Sequence, residues 1–163
     1  MDFTLLVWLF ALAITVHNLE EAIWLPSWSK TAGRWHHPVN TGEFRFAVLV
    51  LTVLGYAVAA LATFAGKESA GAYLIAGYAL AMLLNVVFPH LLATIVMRRY
   101  APGTITALFL NLPVTALLLH QALREGYIHI QKFAWMGPLV VVCLLASIPI
   151  LFALGRKLLA LKR

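Results

Sequence analysis

Residues 3–25 read Phe3-Thr4-Leu5-Leu6-Val7-Trp8-Leu9-Phe10-Ala11-Leu12-Ala13-Ile14-Thr15-Val16-His17-Asn18-Leu19-Glu20-Glu21-Ala22-Ile23-Trp24-Leu25. The stretch is long and apolar enough to cross a bilayer, which takes about 20 residues. A histidine and two carboxylates nevertheless interrupt it. Each such group costs roughly 2.5–3.5 kcal/mol or more at mid-membrane unless it is paired, solvated or bound to a metal. On a helix, His17 pairs with Glu20 at i,i+3 and with Glu21 at i,i+4, so both carboxylates lie near the imidazole.

The rest of the chain sets the same solvent. Of 163 residues, 63% are hydrophobic and only 11% are charged, and mean hydropathy is +0.90. A soluble domain carries about 25% charged residues, so the composition predicts an integral membrane protein. The net charge of +6 carries no nucleic-acid signal, because the basic residues sit at the ends of apolar segments, where they snorkel and orient the chain. A single cysteine, Cys143, excludes an intrachain disulfide. Met1-Asp2 lacks a basic n-region, and no small-residue cleavage site follows, so the first segment is expected to be retained.

The expected fold is an all-α helix bundle in one transmembrane domain, 1–163. Five helices are predicted near 3–25, 44–65, 70–97, 103–123 and 133–154, joined in part by an interfacial loop, 26–43. Pro89 predicts a kink or tilt in the third segment and Pro113 a kink in the fourth. One side of the membrane would hold Lys67, Arg124 and Lys132. The other would hold Lys30, Arg34, Arg45, Arg98, Arg99, Arg156, Lys157, Lys162 and Arg163. That bias predicts an inner or plasma membrane location with the N-terminus outside and the C-terminus cytoplasmic.

Few other polar residues lie at membrane depth: Asn85, His90, Asn111 and His120. At ~1.5 Å per residue, His17, His90 and Asn111 each lie roughly 12–13 Å from the cytoplasmic end of their segment. Equal depth suggests one site built from segments one, three and four. Pro89 cannot donate to the Asn85 carbonyl, so the helix should bend just before His90. His120 and His129 read as interfacial. His36 and His37, in the first loop, read as surface residues or as a lid over the site. Segment five has no ionisable group until Arg156 and reads as packing.

His17-Asn18-Leu19-Glu20-Glu21 resembles the signature of the HXXEE family of integral membrane proteins. Trp24-Leu25-Pro26, the stretch from Asn85 through His90, and Tyr100-Ala101-Pro102-Gly103-Thr104-Ile105-Thr106-Ala107 are similar to family segments as well. The resemblance runs from about Leu12 to Pro113 and implies a metal-binding membrane protein, with no established reaction to carry over.

Two histidines and one or two carboxylates suit zinc or iron(II). The expected ligands are His17, Glu20, Glu21 and His90. Glu20 is also the candidate catalytic base, and Asn85 and Asn111 are expected to orient a ligand or a bound water. Two intramembrane carboxylates favour one metal in a monomer; two metals would need a dimer interface or other ligands. The leading reading is a metal-dependent enzyme, a hydrolase or an oxidoreductase, acting on a lipophilic small molecule among membrane lipids. Its cavity would open to the cytoplasmic leaflet. The alternatives are a proton- or cation-coupled transporter or channel using the same residues as a relay, and a structural or partner-stabilising subunit whose polar cluster is internally satisfied.

Overall fold

A computed structural model describes residues 1–33 and 37–161. Five helices are long and apolar enough to cross a membrane: α1 (Phe3–Ser29), α2 (Thr41–Ala65), α3 (Ala70–Met97), α4 (Thr104–Arg124) and α5 (Ile130–Ala160). There is no strand among the described residues. The chain is therefore an all-helical membrane protein, as its hydropathy requires: in lipid the helix satisfies every backbone group internally.

Local chemistry sets the helix ends. Asp2 caps α1 by accepting from the Leu5 N–H at 2.8 Å, Asn40 caps α2 and Ser69 caps α3, each supplying a side-chain oxygen to an orphan N–H. The first helix runs on through Pro26 to Ser29, beyond the end expected from the sequence. Pro26 has no N–H, which frees the Ala22 carbonyl. The Arg45 Nε–H of α2 donates to it at 3.0 Å, so the proline is absorbed without a break. Ser29, fully buried, then accepts from the Val39 N–H at 3.1 Å and ties the first loop back onto α1.

In the bundle, α1 packs on α2 and α4, α3 packs on α2 and α4, and α5 lies against α2 and α3. The buried stripe of α1 is Phe3, Leu6, Val7, Phe10, Ile14 and then His17, the three-and-four spacing of one helix face. The same face that builds the core therefore delivers the histidine into it. Small residues set the helix distances, as lipid-phase packing demands. A Cβ on Gly71 would lie 2.7 Å from the Leu61 and Ala62 backbone, and one on Gly77 would lie 2.5 Å from Val140 Cβ.

Both expected kinks occur, the first as a break between two helical stretches and the second as a π-helical segment. In α3 the segment is Val86–Leu91, where Phe88 has non-helical φ −128° and ψ 121° and the following peptide, to Pro89, is cis. In α4 it is Ala107–Asn111, immediately before Leu112-Pro113. A π-helical turn re-aims the side chains after it and occurs frequently at functional sites, and a break does the same; the first kink carries His90 and both flank the polar cluster. At the opposite end of the bundle, His129 Nε2 pairs with Glu68 Oε1 at 3.2 Å, with both side chains exposed.

Candidate metal centre

Three side chains can hold one cation. His17, Glu21 and His90 each offer a ligand atom, and these atoms lie within 4.8 Å of one another. His17 Nε2 is 3.8 Å from Glu21 Oε2, and His90 Nε2 is 3.4 Å from Glu21 Oε1. Donor atoms bound at ~2.0–2.2 Å to a common cation sit roughly 3–4 Å apart, so modest movement closes the set. The two rings meet edge to face, with centroids 4.8 Å apart.

Hydrogen bonds turn both histidines the same way. Thr106 Oγ1 donates to Glu20 Oε2 at 2.6 Å and, its proton committed there, accepts from His17 Nδ1–H at 2.9 Å. The Asn85 amide donates to His90 Nε2, which leaves the His90 proton on Nδ1, the edge that faces Gly103. In each ring the N–H is thus held on the side of the loop before α4, and Nε2 keeps its lone pair for the interior. Asn85 Nδ2 stands before both, 3.2 Å from His17 Nε2 and 3.0 Å from His90 Nε2. One amide NH2 supplies a proton to each lone pair, in the place where a cation would serve both. A dinitrogen, carboxylate donor set of this kind fits a borderline divalent ion.

Glu20, expected as a ligand or a base, is turned away from the triad. Its Oε1 accepts from Gly103 N–H at 2.7 Å and from the Tyr100 hydroxyl, and its Oε2 accepts from Thr106 N–H at 3.3 Å as well as from Thr106 Oγ1. The carboxylate caps the start of α4, where unpaired N–H groups and the helix dipole favour an anion. Successive residues on a helix point about 100° apart, so one acid faces α4 and the next faces the cavity between α1, α2 and α3. Tyr100 lies outside the spanning segments. Burial, with the Glu20 carboxylate beside it, pushes its phenol up to about 12, so it stays a donor.

The Tyr100–Gly103 turn is held from several directions. Trp28 Nε1–H donates to the Tyr100 carbonyl at 3.0 Å, and Arg99 lies over the Trp28 ring at 5.3 Å from its centroid. Gly103 has φ +92°, and a Cβ there would lie 2.4 Å from His90 Cε1 and 3.0 Å from His17 Cε1. Only glycine allows this turn to sit against both imidazoles.

The other expected residues fall differently. Asn85 touches the two imidazoles directly. Asn111 is fully buried, and neither Nδ2 nor Oδ1 has a hydrogen-bond partner among the described residues, so it makes no hydrogen bond to His17, Glu21 or His90. His36 lies outside the described residues. His37 is exposed, and Val39 is the described loop residue that reaches the cavity. Sequence reasoning gave no role to Tyr100, Gly103 or Thr106. The signal was present: a Pro-Gly turn opening a helix leaves N–H donors in need of an acid, and Glu20 was one without a partner.

Beside the triad lies a cavity of about 360 Å³ between α1, α2, α3 and α5. His17, Asn18, Glu21 and Asn85 form its polar wall; Val48, Leu51, Met82 and Phe44 are apolar, and so are Leu144, Leu145, Ile148 and Phe152 of α5. The fifth helix, expected only to pack, also walls the cavity, because α5 packs against both α2 and α3.

Fold and site define a class: a five-helix membrane protein with a buried His-Glu-His cluster at one wall of an apolar cavity. The sequence matches the family described as protein of unknown function with HXXEE motif over residues 8–118; the chain belongs to that family. It is also 41% identical over 148 residues to a Bacillus subtilis protein described as uncharacterized protein YrkK, covering 91% of this chain and 94% of that one. No solved structure matches.

The Thr106 contact yields a prediction. Thr106→Val removes the hydroxyl that fixes His17 and is expected to weaken divalent-metal affinity about 10- to 100-fold, the usual effect of losing a ligand's outer partner. Thr106→Ser keeps the hydroxyl and should restore most of it. Equal affinities in competition titrations of the two variants would remove Thr106 from the site.

Proposed function

We propose that this protein is a membrane-embedded, metal-dependent enzyme acting on a lipophilic substrate. The observation that carries the reading is the convergence of the His17, Glu21 and His90 ligand atoms, two of which, His17 and Glu21, line a largely apolar cavity. Small-molecule sites commonly have this form, a few convergent polar groups in an apolar pocket between helices. A divalent cation, zinc or iron, would be held by His17, Glu21 and His90, and would supply Lewis-acid or redox chemistry to a substrate oxygen. The chain's own residues then have separate tasks. Thr106 and the turn at Gly103 aim the imidazoles, Asn85 stands against both Nε2 atoms, and the apolar walls exclude water. Glu20, with its acceptor positions engaged, serves as the anchor of α4 and of Thr106 rather than as the base.

A relay across the membrane would need polar groups continuing to the far end of the bundle. The described core there is mostly apolar, with Phe3, Val7, Phe10, Ile14, Ile75 and Leu118, and its hydroxyls, on Tyr73, Tyr78 and Thr115, bond to backbone groups; the absence of an ionisable chain in that described core favours the enzyme over the transporter or channel. A structural subunit, with both Nε2 atoms satisfied by Asn85 alone, predicts a metal-free protein, and metal content separates it from the enzyme.

Elemental analysis of purified protein tests the reading. One divalent ion per chain is expected, lost in His17→Ala. Because the ligands bind deprotonated, occupancy should fall on acidification as protons compete for the imidazoles. A metal-free protein with undiminished thermal stability after chelation, or occupancy that rises as the pH is lowered, would refute it.

The reading includes an orientation in an inner or plasma membrane, with the N-terminus outside and the cavity mouth at the cytoplasmic leaflet, supported by the basic residues at the Ser29, Thr41 and Ala160 helix ends. In a Cys143→Ala background, Asp2→Cys and Leu161→Cys should label from opposite sides of the membrane. Labelling of both from one side would reject five spans.

A further inference from the structure

The cavity is chemically one-sided, and that restricts what can fill it. Its polar groups lie at the end formed by α1 and α3, and beyond the triad the donors of Tyr78 and Asn18 are engaged within the protein. The Tyr78 hydroxyl donates to the Leu51 carbonyl at 2.9 Å, and the Asn18 amide donates to Thr52 Oγ1 at 2.7 Å. No lysine or arginine is among the described residues around it. A phosphate away from the triad would therefore lie buried without a cationic partner, which costs more than the roughly 1–3 kcal/mol of an unpaired neutral group. The cavity's ~360 Å³ is also near the lower end of the ~300–1,000 Å³ of small-molecule pockets, room for one chain rather than two. From the triad it extends past Leu145 and Ile148 to Phe152, Phe44 and Val39 at the first loop.

We infer that the cavity binds a single-chain amphiphile with one oxygen-bearing head, of the fatty acid, aldehyde or alcohol class, its head at His17, Glu21 and His90 and its tail along α5 toward Val39 and Phe44. This rests on the metal reading, because without a cation Glu21 would repel a carboxylate head. The tail meets Leu144, Leu145, Ile148 and Phe152, which lie beyond the residue 118 limit of the family match. The family motif thus holds the head, and α5, outside that match, sets which tail fits.

The test uses cobalt as the metal, because its visible absorption responds to a change in coordination. Protein loaded with cobalt is titrated with dodecanoic acid and, separately, with a lysophosphatidylcholine of the same chain length. A saturable spectral change is expected with the first and none with the second. Ile148→Trp fills the tail channel and should weaken the dodecanoic acid response at least tenfold. Leu158→Trp, on an exposed position of the same helix, should leave it unchanged. The ligand-free cobalt spectrum reports whether each variant keeps its site; if Ile148→Trp loses it, Ile148→Phe takes its place with the same expected direction. Stoichiometric cobalt whose spectrum ignores dodecanoic acid would overturn the inference and leave the metal reading standing. So would equal responses from the Ile148 and Leu158 variants, or an equal response to both lipids. Failure to take up cobalt at all would remove the metal reading, and the inference with it.

Discussion

Glu21→Gln is expected to abolish stoichiometric metal binding while leaving the helix bundle assembled, and Glu20→Gln is expected to do the reverse. The acids are adjacent in sequence and both sit within a spanning helix, yet their partners differ completely. Glu21 faces His17 Nε2 and His90 Nε2 at 3.8 and 3.4 Å. An amide there keeps the volume but loses the anionic ligand, and a fall in affinity on the order of a hundredfold or more is expected from removing one of three protein ligands. Glu20 accepts from Gly103 N–H, from both Thr106 donors and from Tyr100. Glutamine there turns an NH2 toward N–H groups, leaves donors unpaired and lowers the melting temperature, at a cost of about 1–3 kcal/mol per unsatisfied buried group. Metal affinity should fall only modestly, through Thr106. Isothermal titration with zinc, together with thermal unfolding in detergent, separates the two. Interchangeable effects of the two substitutions would contradict the division of labour.

Gly103→Ala should damage stability and site together. Its φ of +92° is strained for any residue with a side chain, at about 1–3 kcal/mol. The larger effect is steric. The added methyl would stand 2.4 Å from His90 Cε1 and 2.8 Å from His90 Nδ1, so either the imidazole leaves the triad or the turn withdraws from Glu20. A drop in melting temperature and loss of most metal affinity are expected. Gly126, also at positive φ but with open space around its Cβ position, is the control: Gly126→Ala carries the strain without the clash and should lower the melting temperature alone. A Gly103→Ala protein that binds metal like wild type would show that the turn does not hold His90.

The amino-acid sequence by itself determined the solvent, the helical class and the presence of five spans, because hydropathy over some twenty residues is a local property and lipid leaves the backbone no other economy. It also located both helix irregularities, beside Pro89 and Pro113, although Pro26, Pro138 and Pro149 lie in helices that run on. The motif residues were legible for the same reason: His17 and Glu21 on one apolar helix, and His90 beside a proline, are anomalous in lipid without any reference to neighbours. What the sequence could not settle was rotation. Depth along a helix follows from counting residues, but azimuth depends on which helices pack together and on how a π-helical turn re-aims the side chains after it. Rotation is what separated Glu20 from Glu21, brought Asn85 against both imidazoles, left Asn111 without a partner and set α5 along the cavity. Those outcomes belong to the tertiary structure, because they arise between helices and a single helix carries no record of its neighbours.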